Sequence, residues 1–280
     1  MRLFVDNLTN LDFSYLHPSR GLVGETWLAS IELIGELDHQ GMVCDFGHAK
    51  KMLRSWLDEN LDHRLLVPSK APQLVKNPSA FNNLDLGWRL PGDEVINTKS
   101  PAQAVTLVDC AEISPETVAK WCLTKLKPLF PATISQLKLN FTAEAINGPF
   151  YHYSHGLKKH KGNCQRIAHG HRSRILIWKN GEICATEMQN WSRRLRDIYI
   201  GTQSDLLPAK VTKNYAFAYK AEQGEFYLEL PKRCCYLVDT DTTVEFISHH
   251  IAKTLKMMHP NDTFKVKAFE GLAKGAIEEL

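Results

Sequence analysis

The 280-residue sequence has no long apolar run, and acidic residues stand at Asp6 and Asp12 close to its start. A membrane span needs about 20 consecutive apolar residues and a signal peptide needs a compact apolar core, so neither is expected. Paired cysteine spacing is also missing. The seven cysteines are scattered, apart from the adjacent Cys234 and Cys235, and an odd count without a framework fits reduced thiols rather than disulfides. A cytoplasmic protein is therefore expected. Nor is there an excess of one charge. A net charge of +3 with dispersed lysines and arginines gives little support to a nucleic-acid partner. No disordered tail is evident, and 44% hydrophobic residues suit a soluble globular chain long enough for two ordinary cores.

What is present is histidine in an informative pattern. His169-Gly170-His171 follows Cys164 closely, and His155 lies upstream in Tyr151-His152-Tyr153-Ser154-His155. Two histidines one residue apart point the same way from a strand, because side chains alternate with period two. A third histidine from a neighbouring strand would complete a facial three-nitrogen site. Such a site suits Zn²⁺ and leaves a coordination position open for substrate. A thiol nearby points to chemistry rather than to a closed structural zinc. With twelve histidines in the chain, a surface loop with basic neighbours would read similarly.

A repeat near half the chain length organises the rest. Each half opens on a strand carrying a histidine, His17 or His155, followed by a second strand, Thr26 to Leu33 or Arg172 to Trp178. Asn180-Gly181 reads as a hairpin turn. A helix capped by Asp45, with Ala49, Met52, Leu53, Trp56 and Leu57 on one face, leads to Leu61-Asp62-His63. Ser114-Pro115 starts a second helix with Val118, Trp121, Cys122 and Leu126 inward. A helix from about Thr242 and the strand Phe264 to Ala268 repeat this ending. The pattern predicts class α+β, each half an antiparallel sheet with helices packed on one face. The join is placed at Asn147-Gly148-Pro149, giving domains 1–147 and 148–280. Pro68 to Glu112 is too long for an ordinary connection and reads as an insertion or lid of unassigned role.

Gly35 to Asp38, Gly41 to Phe46, Leu61-Asp62-His63 and Ser114 to Trp121 together resemble the 6-pyruvoyltetrahydropterin synthase and 6-carboxytetrahydropterin synthase family, enzymes of the tunnelling fold. The resemblance covers both halves, apart from the insertion, and implies two tandem tunnelling-fold domains. The losses are complementary. In the first half Val23-Gly24-Glu25 stands where the family has its histidine pair, and Phe141 where it has a pterin-anchoring glutamate. In the second half His155, His169 and His171 match the zinc ligands, Cys164 the catalytic cysteine and Glu270 the pterin anchor. The Leu-Asp-His run is absent there, Ile198 to Gln203 standing in its place. The resemblance implies one composite site in which Asp62 and His63 serve the zinc and thiol of the other half.

The implied substrate is 7,8-dihydroneopterin triphosphate. The implied activity is a zinc-dependent lyase, a 6-carboxy-5,6,7,8-tetrahydropterin synthase of queuosine and other deazapurine synthesis. Two readings compete with it: 6-pyruvoyltetrahydropterin synthase activity, and a non-catalytic pterin-binding or assembly protein with a structural zinc. Cys164 would be the general base, with Asp62 and His63 as partner acid and base, and Glu270 would accept hydrogen bonds from the pterin. Read without the family, Asp62-His63 is an ordinary helix end, Cys164 a core cysteine and Glu270 a solvated strand end. Family rings of single-domain subunits imply a homo-oligomer here with half as many chains, a trimer where relatives are hexamers.

Overall fold

Local signals set the helices. The computed structural model describes residues 1–80 and 82–280. Strands β1 (Arg2–His17) and β2 (Gly21–Gly35) form a long antiparallel hairpin. Helix α1 (Phe46–Asn60) follows, its Asp45 side chain accepting from the His48 N–H at 2.9 Å. Ala49, Leu53 and Leu57, spaced by four, are its buried stripe. After β3 (Leu65–Pro68) come β4 (Leu74–Asn77), β5 (Asn83–Arg89), β6 (Val95–Pro101) and β7 (Val105–Val108). Helix α2 (Pro115–Leu126) starts on a Ser114–Thr117 capping box, and β8 (Ile134–Ala143) closes the first half.

The second half begins with β9 (Phe150–His155), β10 (His169–Lys179) and the short β11 (Glu182–Ile183). Asn180 and Gly181 both have positive φ, the primed turn that a two-residue hairpin favours. Helix α3 (Ala185–Arg194), β12 (Ile198–Thr202), β13 (Leu206–Leu207), β14 (Asn214–Ala221), β15 (Gly224–Pro231) and β16 (Cys235–Val238) follow. Helix α4 (Val244–Met258), capped by Thr243, leads to β17 (Phe264–Phe269) and β18 (Gly275–Glu279).

The result is α+β with four helices among the described residues. One sheet has the order β7-β3-β1-β2-β8, and a second repeats it as β16-β12-β9-β10-β17, with β18 beyond and β11 on β10. The expectation of purely antiparallel sheets is corrected. β1 pairs β3 and β3 pairs β7 in parallel, as do β9 with β12 and β12 with β16. Crossovers through α1, α3 and the inserted strands return the chain in the same direction, which parallel pairing requires.

The stretch from 68 to 112, read as an insertion or lid, is built of strands. Its β4, β5 and β6 join β13, β14 and β15 in a third sheet, through antiparallel pairing of Tyr227 with Lys99. Each half thus sends strands into one shared sheet. Separate apolar cores lie under α1 with α2 and under α3 with α4. Each fully buried Leu or Ile there contributes roughly 1.5–3 kcal/mol. The first two sheets cross at glycine. A Cβ on Gly170 would lie 2.7 Å from the Gly24 Cα and 2.3 Å from the Tyr153 carbonyl oxygen. Only hydrogen fits between His169 and His171. No helix among the described residues is long and apolar enough to cross a membrane.

Candidate metal and thiol site

Strand register builds the histidine cluster. His155 on β9 pairs directly with His169 on β10, and His171 pairs with Tyr153, so all three imidazoles stand on one face. One ring nitrogen from each lies within 4.8 Å of the others, and all three residues are buried. His155 Nδ1 faces the Thr242 carbonyl at 2.8 Å and His169 Nδ1 the Arg166 carbonyl at 2.9 Å. An oxygen acceptor there places the proton on Nδ1 and leaves Nε2 as a lone pair. His171 Nδ1 faces Asp12 Oδ1 at 3.2 Å, off the line of a well-formed hydrogen bond but close enough for charge attraction.

These nitrogens fit a cation. His169 Nε2 is buried without a hydrogen-bond partner, and the Nε2 atoms of His155 and His171 are 3.3 Å apart. With the His171 proton on Nδ1 toward Asp12, two lone pairs face each other, an arrangement that a cation between them relieves. Burial, reinforced by the charge of His171 on His155 and of His155 on His169, holds both well below the usual imidazole range. Neutral imidazole is the form that binds metal.

The dyad comes from the other half. Asp62 and His63 follow the end of α1, and His63 adopts a positive φ of 52°. Strand β1 holds this turn: the Asp12 N–H donates to Asp62 Oδ1 at 2.8 Å and the His63 N–H to the Asp12 carbonyl at 2.6 Å. His63 Nδ1 lies 2.5 Å from Asp62 Oδ2. His63, Cys164 and His169 form a second group whose ligand atoms lie within 4.8 Å of one another. Burial opposes charge on His63, but Asp62 and Cys164 outweigh it and push its pKa up to about 10. All of these side chains belong to one chain.

Glu270, just past β17, has Oε1 3.6 Å from His171 Nε2 and Oε2 3.9 Å from Lys274 Nζ. It borders the cluster and remains partly exposed. Lys274 also reaches Asp12 Oδ2 at 3.2 Å. Burial raises the Asp12 carboxyl, yet His171, Lys274 and Thr26 more than reverse this and hold it far below the usual range. Asp12 and Lys274 were not legible as site residues. Asp12 alternates with Leu11 and Phe13 and so reads as an ordinary polar position of a strand, with nothing local to mark it as buried.

The first half has no such cluster among its described residues. His17 Nδ1 accepts the backbone N–H groups of Ser19 and Arg20, each at 3.1 Å. Arg20 binds Asp197 through two hydrogen bonds of 2.9 and 2.6 Å. Glu25 is buried 3.8 Å from His152 Nδ1. Burial, partly offset by the Thr26 N–H, pushes its carboxyl from about 4.5 up to about 7. The folded state therefore holds this proton more tightly than the unfolded chain. Its stabilising contribution is complete below about pH 4.5 and is lost as pH rises through about 7. Glu25→Gln should leave the melting temperature near pH 5 almost unchanged and raise it at pH 8, by an amount worth on the order of 3 kcal/mol. Identical pH dependence of melting in both proteins would remove Glu25 as the source.

Residues 9–146 match a family model described as 6-pyruvoyl tetrahydropterin synthase. A protein of Pyrococcus abyssi named "Putative 6-carboxy-5,6,7,8-tetrahydropterin synthase" is 25% identical over 111 residues, covering 40% of this chain and 61% of that protein. A Pyrococcus horikoshii protein of the same name is 23% identical over 129 residues, covering 46% of this chain and 73% of that protein. The chain thus spans about six tenths of the first relative's length. The solved structure of 6-pyruvoyltetrahydropterin synthase from Plasmodium vivax shares 16% identity at a TM-score of 0.39, covering 51% of this chain and 97% of that one.

Proposed function

Starting from the match of residues 9–146 to the family model described as 6-pyruvoyl tetrahydropterin synthase, we propose that the chain is a 6-carboxy-5,6,7,8-tetrahydropterin synthase acting on 7,8-dihydroneopterin triphosphate. Its two halves, 1–147 and 148–280, are tandem tunnelling-fold domains that share one site. One observation carries this reading. His63 of the first half meets Cys164 and His169 of the second, beside the His155–His169–His171 cluster. The name shared by the two curated relatives favours this product over a pyruvoyl pterin.

His155, His169 and His171 would hold Zn²⁺, which as a Lewis acid would polarise the side-chain hydroxyls of the substrate. Cys164, set beside His63, removes a side-chain proton. His63, oriented by Asp62, takes and returns protons on the same side. Glu270 accepts hydrogen bonds from the pterin N–H groups, and Lys274 steers its carboxylate. The reaction consumes one water and releases acetaldehyde and triphosphate. The free cysteines fit a cytoplasmic protein, and a homotrimer is the expected assembly, measurable by light scattering.

Incubation of the purified protein with 7,8-dihydroneopterin triphosphate tests the reading. Acetaldehyde supports it, a pyruvoyl pterin assigns the other activity of the family, and no turnover by the zinc-loaded protein leaves a binding or assembly role. Glu270→Gln should raise KM about tenfold with a smaller effect on kcat, because the lost charge weakens ground-state binding. An unchanged KM would take Glu270 out of the pterin site.

A further inference from the structure

The shared third sheet ends in a contact with the Cys164 turn. Cys164 sits on a single 3-10 turn, Asn163–Gln165, after Gly162. Gln165 is fully buried, and its Nε2 lies 3.1 Å from the Gly162 carbonyl. On the far side stands the tip of the β14–β15 hairpin. The Gln223 N–H donates to Gln165 Oε1 at 2.5 Å, and Gln223 Nε2 donates to Asn163 Oδ1 at 2.9 Å. Gln223 Oε1 accepts from Arg166 Nε at 2.9 Å, and Arg166 NH1 reaches the His63 carbonyl at 3.3 Å. Tyr219 donates its hydroxyl to the Gln165 carbonyl at 2.8 Å. This approach is built in. A Cβ on Gly156 would lie 2.2 Å from the Tyr219 hydroxyl.

We propose that Gln223 is a positioning residue, one amide that ties the turn carrying Cys164 to the turn carrying His63. Its nitrogen holds the neighbour of Cys164, and its oxygen orients the arginine that reaches His63. The two groups come from opposite halves, about 100 residues apart. The insertions that carry the third sheet thereby acquire a role: β15 is anchored on β6 of the first half, so the hairpin tip is held from both halves. The effect on turnover rests on the reading of Cys164 as general base, whereas the clamp itself does not.

Gln223→Ala should lower kcat about 10- to 100-fold while KM stays within about twofold and zinc content is unchanged. Hydrogen exchange of the peptide spanning 157–168 should speed up. Gln223→Glu should recover most of the loss, since Arg166 keeps an acceptor and the Asn163 amide can turn to donate. Exposed Glu222 beside it provides the control, and Glu222→Ala should behave as wild type. Wild-type kcat and exchange in Gln223→Ala would overturn the proposal, as would an equal loss in Gln223→Glu. Should Gln223→Ala fail to fold, Tyr219→Phe removes only the bond to the Gln165 carbonyl. It should produce the same changes on a smaller scale, and wild-type behaviour in that variant overturns the clamp. If the wild-type protein has no turnover, the pterin synthase reading fails, and exchange of residues 157–168 alone decides the clamp.

Discussion

His169→Ala and His171→Ala should each yield protein without stoichiometric zinc, whereas His17→Ala should keep one zinc per chain. The asymmetry follows from what surrounds each histidine. His155, His169 and His171 present converging nitrogens whose opposite ring atoms face Thr242, Arg166 and Asp12. Removing one leaves two ligands, too few for a site of this kind. His17 already accepts two backbone N–H groups, and Val23 and Glu25 stand where the resemblance would place its ligand partners. Asp12→Asn should give an intermediate result. Partners of metal-bound imidazoles typically alter metal affinity 10- to 100-fold, so a weakening of about that size is expected in chelator competition. Stoichiometric zinc in either His169→Ala or His171→Ala would sink the ligand assignment.

Turnover should collapse in Cys164→Ala and in His63→Ala while zinc stays bound, because in the proposed function each group moves protons and neither completes the three-histidine set. General acid–base groups typically contribute about 10²–10⁴-fold, and losses near that range are expected in kcat. The double variant should lose little more than either single one, since the two act as a unit. The location of the site adds a sharper test. His63, Cys164 and His169 meet within one chain, so mixing inactive His63→Ala chains with inactive Cys164→Ala chains should restore nothing. Recovered activity after proven subunit exchange would place the working site between chains instead. Full activity of His63→Ala would return Asp62-His63 to the role of an ordinary helix end.

Features that depend on a few neighbouring residues were legible in the sequence. Asp45 and Ser114 cap α1 and α2 because a side-chain oxygen there meets amides two or three residues on. The alternation that turns His169 and His171 to one face is equally local. Helix α3 was harder to see, since Cys184 offers no side-chain cap.

Long-range pairing decided everything else. Strands β4 to β6 read as an insertion or lid without a role; they pair with one another locally, but their place in the fold is set by β15, more than 100 residues away. The parallel pairing of β3 and β12 depends on which strands the crossovers bring together, and no short window of sequence encodes that. Asp12 reads as one of several polar residues alternating along a strand until the folded chain sets it 3.2 Å from His171. The sequence by itself determined which groups were available: three histidines, a thiol, an Asp-His pair and a glutamate, divided between two halves. Only the tertiary structure decided that the division closes within a single chain. The reason is steric: the two sheets cross where Gly24 meets Gly170, and that close approach brings the turn after α1 against the turn that carries Cys164.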